Sequence, residues 1–90
     1  MEYEWDADKA ALNLRKHGVA FEEASTVFLD NLALSSPDPD GSLGELRFVT
    51  FGLSAVGRTL AVFHTYRPGA IRLFSARRMT RVERKFYEES

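Results

Sequence analysis

The chain has 90 residues, of which 44% are hydrophobic and 12% aromatic, and this is enough apolar material for one core. It contains no cysteine, which excludes disulfide frameworks, thiolate nucleophiles and cysteine-based zinc sites. No apolar run approaches the roughly 18 residues that a membrane span needs, and the acidic amino terminus is unlike a signal peptide. We therefore expect a single domain over residues 1–90, cytoplasmic and without membrane attachment.

The formal net charge of −1 hides a strong asymmetry between the two halves of the chain. Residues 1–45 hold ten acids against three bases, which gives −7, whereas residues 46–90 hold nine bases against three acids, which gives +6. Eight of those nine bases are arginine, whose planar fork of donors matches phosphate. The asymmetry favours recognition of an anion, although a solvated charged surface explains the charge equally well.

The first predicted elements are a short strand over residues 2–5 and a helix over residues 7–16. Asp6 is placed to cap the amino end of this helix, and Gly18 is placed to end it. The apolar spacing predicts one buried stripe along the helix, formed by Ala7, Ala10, Ala11 and Leu14.

A second short helix is predicted over residues 21–28, since Phe21 and Phe28 recur there at helical spacing and would give it an aromatic inner face. Residues 35–42 are rich in serine, proline, aspartate and glycine, which predicts a loop.

Beyond this loop the pattern changes to runs of β-branched and aromatic residues, and it predicts three strands, over residues 47–53, 59–66 and 71–76. Both connections are short and contain glycine, so each is expected to be a hairpin and the sheet an antiparallel meander.

A final helix is predicted over residues 81–89, because Thr80 and Glu83 have the spacing of a capping box. The order of elements indicates an α+β domain with two amino-terminal helices, a meandering antiparallel sheet and a carboxy-terminal helix.

Several ordered motifs resemble the BrnT family of toxins over nearly the whole chain. The amino-terminal motif is Trp5-Asp6-x-x-Lys9-x-x-x-Asn13-x-x-Lys16-His17-Gly18-Val19-x-Phe21, and the later blocks are Arg47-Phe48-Val49-Thr50-x-Gly52, Gly57-Arg58, Thr65-x-Arg67, Arg72-x-x-Ser75-Ala76-Arg77 and Glu83-x-x-x-Tyr87. The resemblance implies a RelE-like fold and a ribonuclease activity that inhibits translation. It also implies a BrnA-like ribbon-helix-helix antitoxin, held in a heterotetramer, through which the complex would bind operator DNA.

Metal-independent RNA cleavage needs a group that takes the 2′-hydroxyl proton, cations that hold the phosphate and a donor for the leaving oxygen. The candidates for these catalytic roles lie in the last two predicted strands and the final helix: Arg67, Arg72, Arg77, Glu83 and Tyr87. The tight turn between Arg67 and Arg72 would bring these two together as a phosphate clamp. Glu83 and Tyr87 share one helix face, but a capping role for Glu83 and a packing role for Tyr87 remain open.

Further RNA-binding candidates are the basic residues Lys16, His17, Arg58 and Arg81. Structural capping at the end of the first helix is the alternative for His17, and His64 is expected to be a half-buried strand residue. No spacing of metal ligands and no nucleotide-cofactor motif occurs, so neither a metal nor a cofactor is expected.

The main alternative function is a binding module without catalysis. In that case the same cationic face would receive an acidic partner or nucleic acid and leave RNA intact.

Overall fold

A computed structural model describes residues 1–39 and 46–90. Its elements are β1 (Glu2–Glu4), α1 (Ala7–His17), α2 (Phe21–Ser25), a 3₁₀ helix (Thr26–Leu29), β2 (Leu34–Pro37), β3 (Phe48–Leu53), β4 (Thr59–Arg67), β5 (Ala70–Arg78) and α3 (Arg81–Glu89). None of the helices in these two ranges has the length and apolar character needed to cross a membrane.

The five strands form one sheet in the order β1-β5-β4-β3-β2. The two predicted hairpins are confirmed, since β3, β4 and β5 pair antiparallel in chain order. The expectation of a wholly antiparallel sheet is wrong, because β1 runs parallel to β5, with Tyr3 opposite Ile71. No hairpin constrains the direction of β1, and its one aromatic side chain packs beside the 3₁₀ helix, with the Tyr3 ring 5.7 Å from that of Phe28.

The edge strand β2 was not predicted, because three of its four residues fall in the segment 35–42, which was predicted to be a loop. Leu34 to Pro37 pair with β3 in antiparallel register, so the beginning of that segment is extended and hydrogen-bonded. Proline is tolerated here because β2 lies at the edge of the sheet, where one side of the strand needs no ladder hydrogen bond. The last residues of the predicted loop, 40–42, lie outside the described residues.

Helix α1 begins and ends as predicted, but its buried face is different. The Asp6 carboxylate accepts a hydrogen bond from the Asp8 amide, and Gly18 closes the helix with φ 70°. The most buried residue is Asn13, whereas Leu14 is half exposed and the predicted alanine stripe is largely on the surface. The apolar pattern failed because the buried residue of α1 is an amide that contacts β5, while of the predicted alanines only Ala10 is partly buried against the core.

Asn13 joins α1 to the edge of β5. Its Nδ2 donates to the carbonyl oxygens of Val19 and Ala76, both at 2.9 Å, and its Oδ1 accepts from the Ala76 amide at 3.1 Å. The side chain therefore satisfies the strand groups that a neighbouring strand would otherwise pair.

The predicted second helix is present as α2 followed directly by the 3₁₀ helix. Phe21 is fully buried and Phe28 is partly buried, in agreement with the expected aromatic inner face. The core packs these helices against one face of β4 and β5; its members are Val19, Phe21, Ala24, Val27, Leu60, Val62, Ile71, Leu73 and Ala76. A side chain at Gly52 would begin 3.0 Å from the Val27 Cβ, so glycine permits this close approach.

A β-bulge in β5 determines which arginines share a face of the sheet. Leu73 pairs with His64 and Ser75 pairs with Phe63, so Phe74 is the extra residue. Because paired residues project to the same side, Arg67, Arg72 and Arg77 all lie on the face opposite α1 and α2. We call this the outer face. Helix α3 packs on part of it, where the rings of Phe86 and Phe51 are 6.4 Å apart.

Candidate functional site

Arg67 and Arg72 meet at one carboxylate on the outer face. The β4–β5 hairpin brings them together, and the Glu4 Oε1 lies 3.3 Å from the Arg67 Nε and 3.7 Å from the Arg72 Nη1. The three side chains are between 31% and 44% exposed. Two guanidinium groups therefore flank a single anion that is accessible to solvent.

Arg77 lies towards the other end of β5 and is bound to α3. Its Nη1 and Nη2 donate to the two carboxylate oxygens of Glu83 at 2.7 and 2.9 Å, and its Cζ is 5.3 Å from the centre of the Phe63 ring. The hydrogen bond from Arg77 lowers the pKa of Glu83, with help from the Thr80 amide. The capping box predicted for Thr80 and Glu83 is confirmed, so Glu83 is engaged in both a cap and an ion pair.

Tyr87 attaches the end of α3 to the segment after the 3₁₀ helix. Its hydroxyl donates to the Asp30 carboxylate, which also accepts from the amides of Leu53 and Leu32, both at 2.9 Å. Burial and the hydrogen bond to Asp30 together raise the pKa of Tyr87 to about 12. Glu83 and Tyr87 share a helix face as predicted, but one contacts Arg77 and the other contacts Asp30.

Arg58 belongs to a network that joins three elements. Its Nε donates to the Glu23 carboxylate at 3.0 Å, its Nη2 donates to the Gly18 carbonyl at 3.0 Å, and the Ser54 hydroxyl donates to the same carboxylate at 2.7 Å. The hydrogen bond from Arg58 lowers the pKa of Glu23. Arg81 is exposed in the first turn of α3.

Lys16 and His17 line a cleft between the end of α1 and the bulge of β5. The cleft has a volume of about 230 Å³, and its aromatic and polar lining consists of Lys9, Asn13, Lys16, His17, Phe74 and Ser75. We call it the α1–β5 cleft. Two cations contact the Phe74 ring, the Lys9 Nζ at 5.4 Å and the Arg47 Cζ at 5.0 Å from its centre.

Four residues at or beside this cleft were not predicted as site residues from the sequence: Lys9, Arg47, Phe74 and Ser75. A signal for Lys9 was available, since it precedes Lys16 and His17 by seven and eight positions and therefore lies on the same face of α1. The places of Phe74 and Ser75 depend on the bulge, which the alternating pattern of β5 does not indicate.

His64 is fully buried, not half-buried as expected, and it lies on the face covered by the helices. Its Nε2 is 2.7 Å from the Thr50 Oγ1, which is 2.6 Å from the Ser35 Oγ. Burial lowers the pKa of His64 to about 4, so the ring is neutral at pH 7. Its surroundings are aromatic, with the Phe28 ring 4.9 Å away.

Taken together, the fold and these contacts define a small α+β protein with arginines on one sheet face and a basic cleft beside it. Residues 5–83 match the family described as the ribonuclease toxin BrnT of type II toxin-antitoxin systems, and the chain belongs to this family.

The fold also resembles a solved structure, the crystal structure of the ribonuclease toxin BrnT of Brucella abortus. The two chains are 23% identical with a TM-score of 0.66, and the similarity covers 90% of this chain and 99% of the other. This likeness confirms the predicted α+β fold. A comparison with curated protein sequences gave no match.

Proposed function

We propose that this protein is an endoribonuclease that cleaves RNA without a metal ion and thereby inhibits translation. The observation that carries the proposal is the common direction of Arg67, Arg72 and Arg77, which project to one face of the sheet. Guanidinium groups arranged along one surface match the repeated phosphates of a polyanion. Membership of the BrnT family supports the same activity.

Arg67 and Arg72 are the proposed phosphate ligands. Their ion pairs with Glu4 are long and half exposed, and pairs of this kind contribute only about 0–1 kcal/mol to stability. An RNA phosphate can therefore replace the Glu4 carboxylate between the two guanidinium groups, since breaking these two ion pairs costs little.

A different role is proposed for Arg77, Glu83 and Tyr87, because each already forms a hydrogen bond or ion pair within the protein. The two-pronged ion pair with Glu83 orients Arg77 beside Phe63, and Tyr87 fixes α3 through Asp30. Arg77 supports the bound phosphate, while Glu83 and Tyr87 position the helix that holds it.

The remaining proposed RNA contacts come from basic residues outside this group. Lys16 and His17 act from the α1–β5 cleft, and the exposed Arg81 adds a phosphate contact. Arg58 contributes chiefly by holding the turn between β3 and β4 against α2.

Metal independence is supported by the charge of the side chains that line the α1–β5 cleft. The cleft side chains are cationic or neutral, whereas Mg²⁺ is held by carboxylate and carbonyl oxygens. We expect cleavage to continue in the presence of a chelator.

A protein antitoxin is the partner that a type II toxin implies, and we propose that it is a BrnA-like ribbon-helix-helix protein. In this proposal the two form a heterotetramer that binds operator DNA through the antitoxin. The toxin would be one domain over residues 1–90 acting in the cytoplasm, where its RNA substrate is present.

The test is to incubate purified, antitoxin-free protein with single-stranded RNA and a chelator and to follow discrete products. Alanine at Arg67 or Arg72 should reduce cleavage about tenfold or more. Losing one phosphate-binding guanidinium group removes at least about 1.4 kcal/mol of transition-state stabilisation. Arg84→Ala, on the exposed side of α3, is the matched control with wild-type activity.

Two results would contradict the proposal. Full activity in the Arg67, Arg72 and Arg77 variants would remove the outer face from the site. Protein that binds RNA and leaves it whole would favour the binding module instead.

A further inference from the structure

The α1–β5 cleft combines features that the outer face lacks. Lys9, Asn13, Lys16 and His17 follow one another at helical spacing, so they form one stripe on α1. Asn13 fixes this stripe to the edge of β5 through hydrogen bonds with both backbone groups of Ala76. The basic groups are therefore held beside the bulge by a rigid contact between a helix and a strand.

The electrostatics of the cleft favour an anion. Its charged or titratable lining consists of Lys9, Lys16 and His17, and Arg47 adds a fourth basic group on the Phe74 ring. Gathering like charges around one concavity costs free energy unless an anion enters it. A phosphate is the anionic group that an RNA substrate brings.

His17 is also the best-placed group for proton transfer among the candidates. His64 is fully buried, Glu83 is bound by Arg77, and the Tyr87 hydroxyl donates to Asp30. His17 is only partly buried and lines the cleft beside Lys16. Imidazole is the side-chain group that most readily accepts and returns protons near neutral pH.

We propose that the α1–β5 cleft is the catalytic centre for RNA cleavage, with Lys9 and Lys16 binding the scissile phosphate and His17 transferring the proton. This inference rests on the ribonuclease activity proposed above and assigns its chemistry to residues on α1. The outer-face arginines then bind the flanking phosphates.

The reaction balances with the groups present. His17 takes the proton of the 2′-hydroxyl while the 2′-oxygen forms a bond to phosphorus. The bond between phosphorus and the 5′-oxygen breaks, and the leaving oxygen takes a proton from the ammonium group of Lys9 or Lys16. The lysine regains a proton from water, and His17 returns its own to solvent. The products are a 2′,3′-cyclic phosphate and a 5′-hydroxyl.

The experiment uses the purified full chain and an end-labelled single-stranded RNA under single-turnover conditions. His17→Gln should lower the cleavage rate about 100-fold, the usual contribution of general acid–base catalysis, with little change in the Kd for RNA. Lys16→Ala should weaken both binding and cleavage. Arg15→Ala is the matched control, since this exposed cation lies on another side of α1 and should leave both unchanged.

Two further readouts separate catalysis from structure. Added imidazole should restore part of the activity of His17→Ala, which a merely destabilised variant would not show. The DNA oligonucleotide of the same sequence should remain uncut, because it has no 2′-hydroxyl.

The outcomes distinguish the two proposals. If the wild type cleaves RNA and His17→Gln, although folded by circular dichroism, cleaves at the same rate, the cleft is not the catalytic centre and the ribonuclease proposal stands. If the wild type leaves RNA whole, both proposals fail.

Discussion

His64 is the buried residue whose protonation most directly opposes folding. It is fully inaccessible to solvent, lies among aromatic rings and makes its hydrogen bond to Thr50 through Nε2. Burial lowers the pKa of the folded-state ring to about 4, below the value near 6.5 of an unfolded chain. Between these two values the unfolded chain binds a proton that the folded chain does not.

The stability of the protein should therefore fall as the pH falls from about 6.5 to about 4. The difference between the folded and unfolded pKa values of His64 corresponds to about 3 kcal/mol of unfolding free energy. This contribution is present above pH 6.5 and is lost as the pH falls to about 4. Urea unfolding at several pH values measures this. Protonation of Glu23 and Glu83, whose pKa values are lowered in the fold, also destabilises the protein in acid. The wild type is therefore compared with His64→Gln, which retains both carboxylates.

His64→Gln should show a shallower loss of stability over the same interval. Identical pH dependence in the two proteins would mean that His64 makes no contribution.

At the scale of elements, α3 depends on a few side-chain contacts. None of its residues is buried, and it is attached by Glu83 to Arg77, by Tyr87 to Asp30 and by Phe86 to the ring of Phe51. Because little apolar surface is covered, polar contacts carry much of the attachment.

Tyr87→Phe should loosen α3 while the sheet stays folded. The change removes the hydroxyl donor to Asp30, and losing a hydrogen bond to a charged acceptor costs about 1.5–3 kcal/mol. Hydrogen exchange of the α3 amides should become faster, with little change in β4 and β5. Lys85→Ala, an exposed change in the same helix, is the control; unchanged α3 protection in Tyr87→Phe would contradict the role given to Tyr87.

At the scale of the whole molecule, the acidic and basic halves of the sequence are interleaved. Glu4 in β1 lies between Arg67 and Arg72, and Glu23 in α2 binds Arg58. The parallel pairing of β1 with β5 thus places an amino-terminal carboxylate inside a carboxy-terminal basic cluster. This carboxylate competes with any phosphate that the two arginines bind.

Glu4→Gln should therefore tighten RNA binding, because it removes the competing carboxylate. The proposed phosphate contacts predict a slope of about −4 for the logarithm of the binding constant against the logarithm of salt concentration. There are six of them: Lys9, Lys16, Arg67, Arg72, Arg77 and Arg81. Arg67→Ala should reduce the magnitude of this slope by about 0.7. Fluorescence anisotropy across salt concentrations measures both effects.

Glu2→Gln is the matched control for the change at Glu4, since Glu2 is an exposed carboxylate in the same strand. Equal affinities for Glu4→Gln and Glu2→Gln would mean that Glu4 does not compete with RNA.

Most elements of the fold follow from local sequence signals. Asp6 and Gly18 define the ends of α1, Thr80 and Glu83 form their capping box, and the glycine-containing turns give the two hairpins. These elements can be predicted because each signal depends on residues a few positions apart, whose backbone hydrogen bonds and torsion angles are set locally.

The candidate site can be predicted only in part from local sequence signals. The arginines and the basic end of α1 stand out in the sequence, but their grouping depends on contacts between distant segments. The Phe74 bulge, the parallel pairing of β1 and the hydrogen bonds of Asn13 with Ala76, 63 positions away, are examples. No local sequence pattern predicts them, because strand direction, strand register and the burial of an amide depend on which distant segment packs against the element.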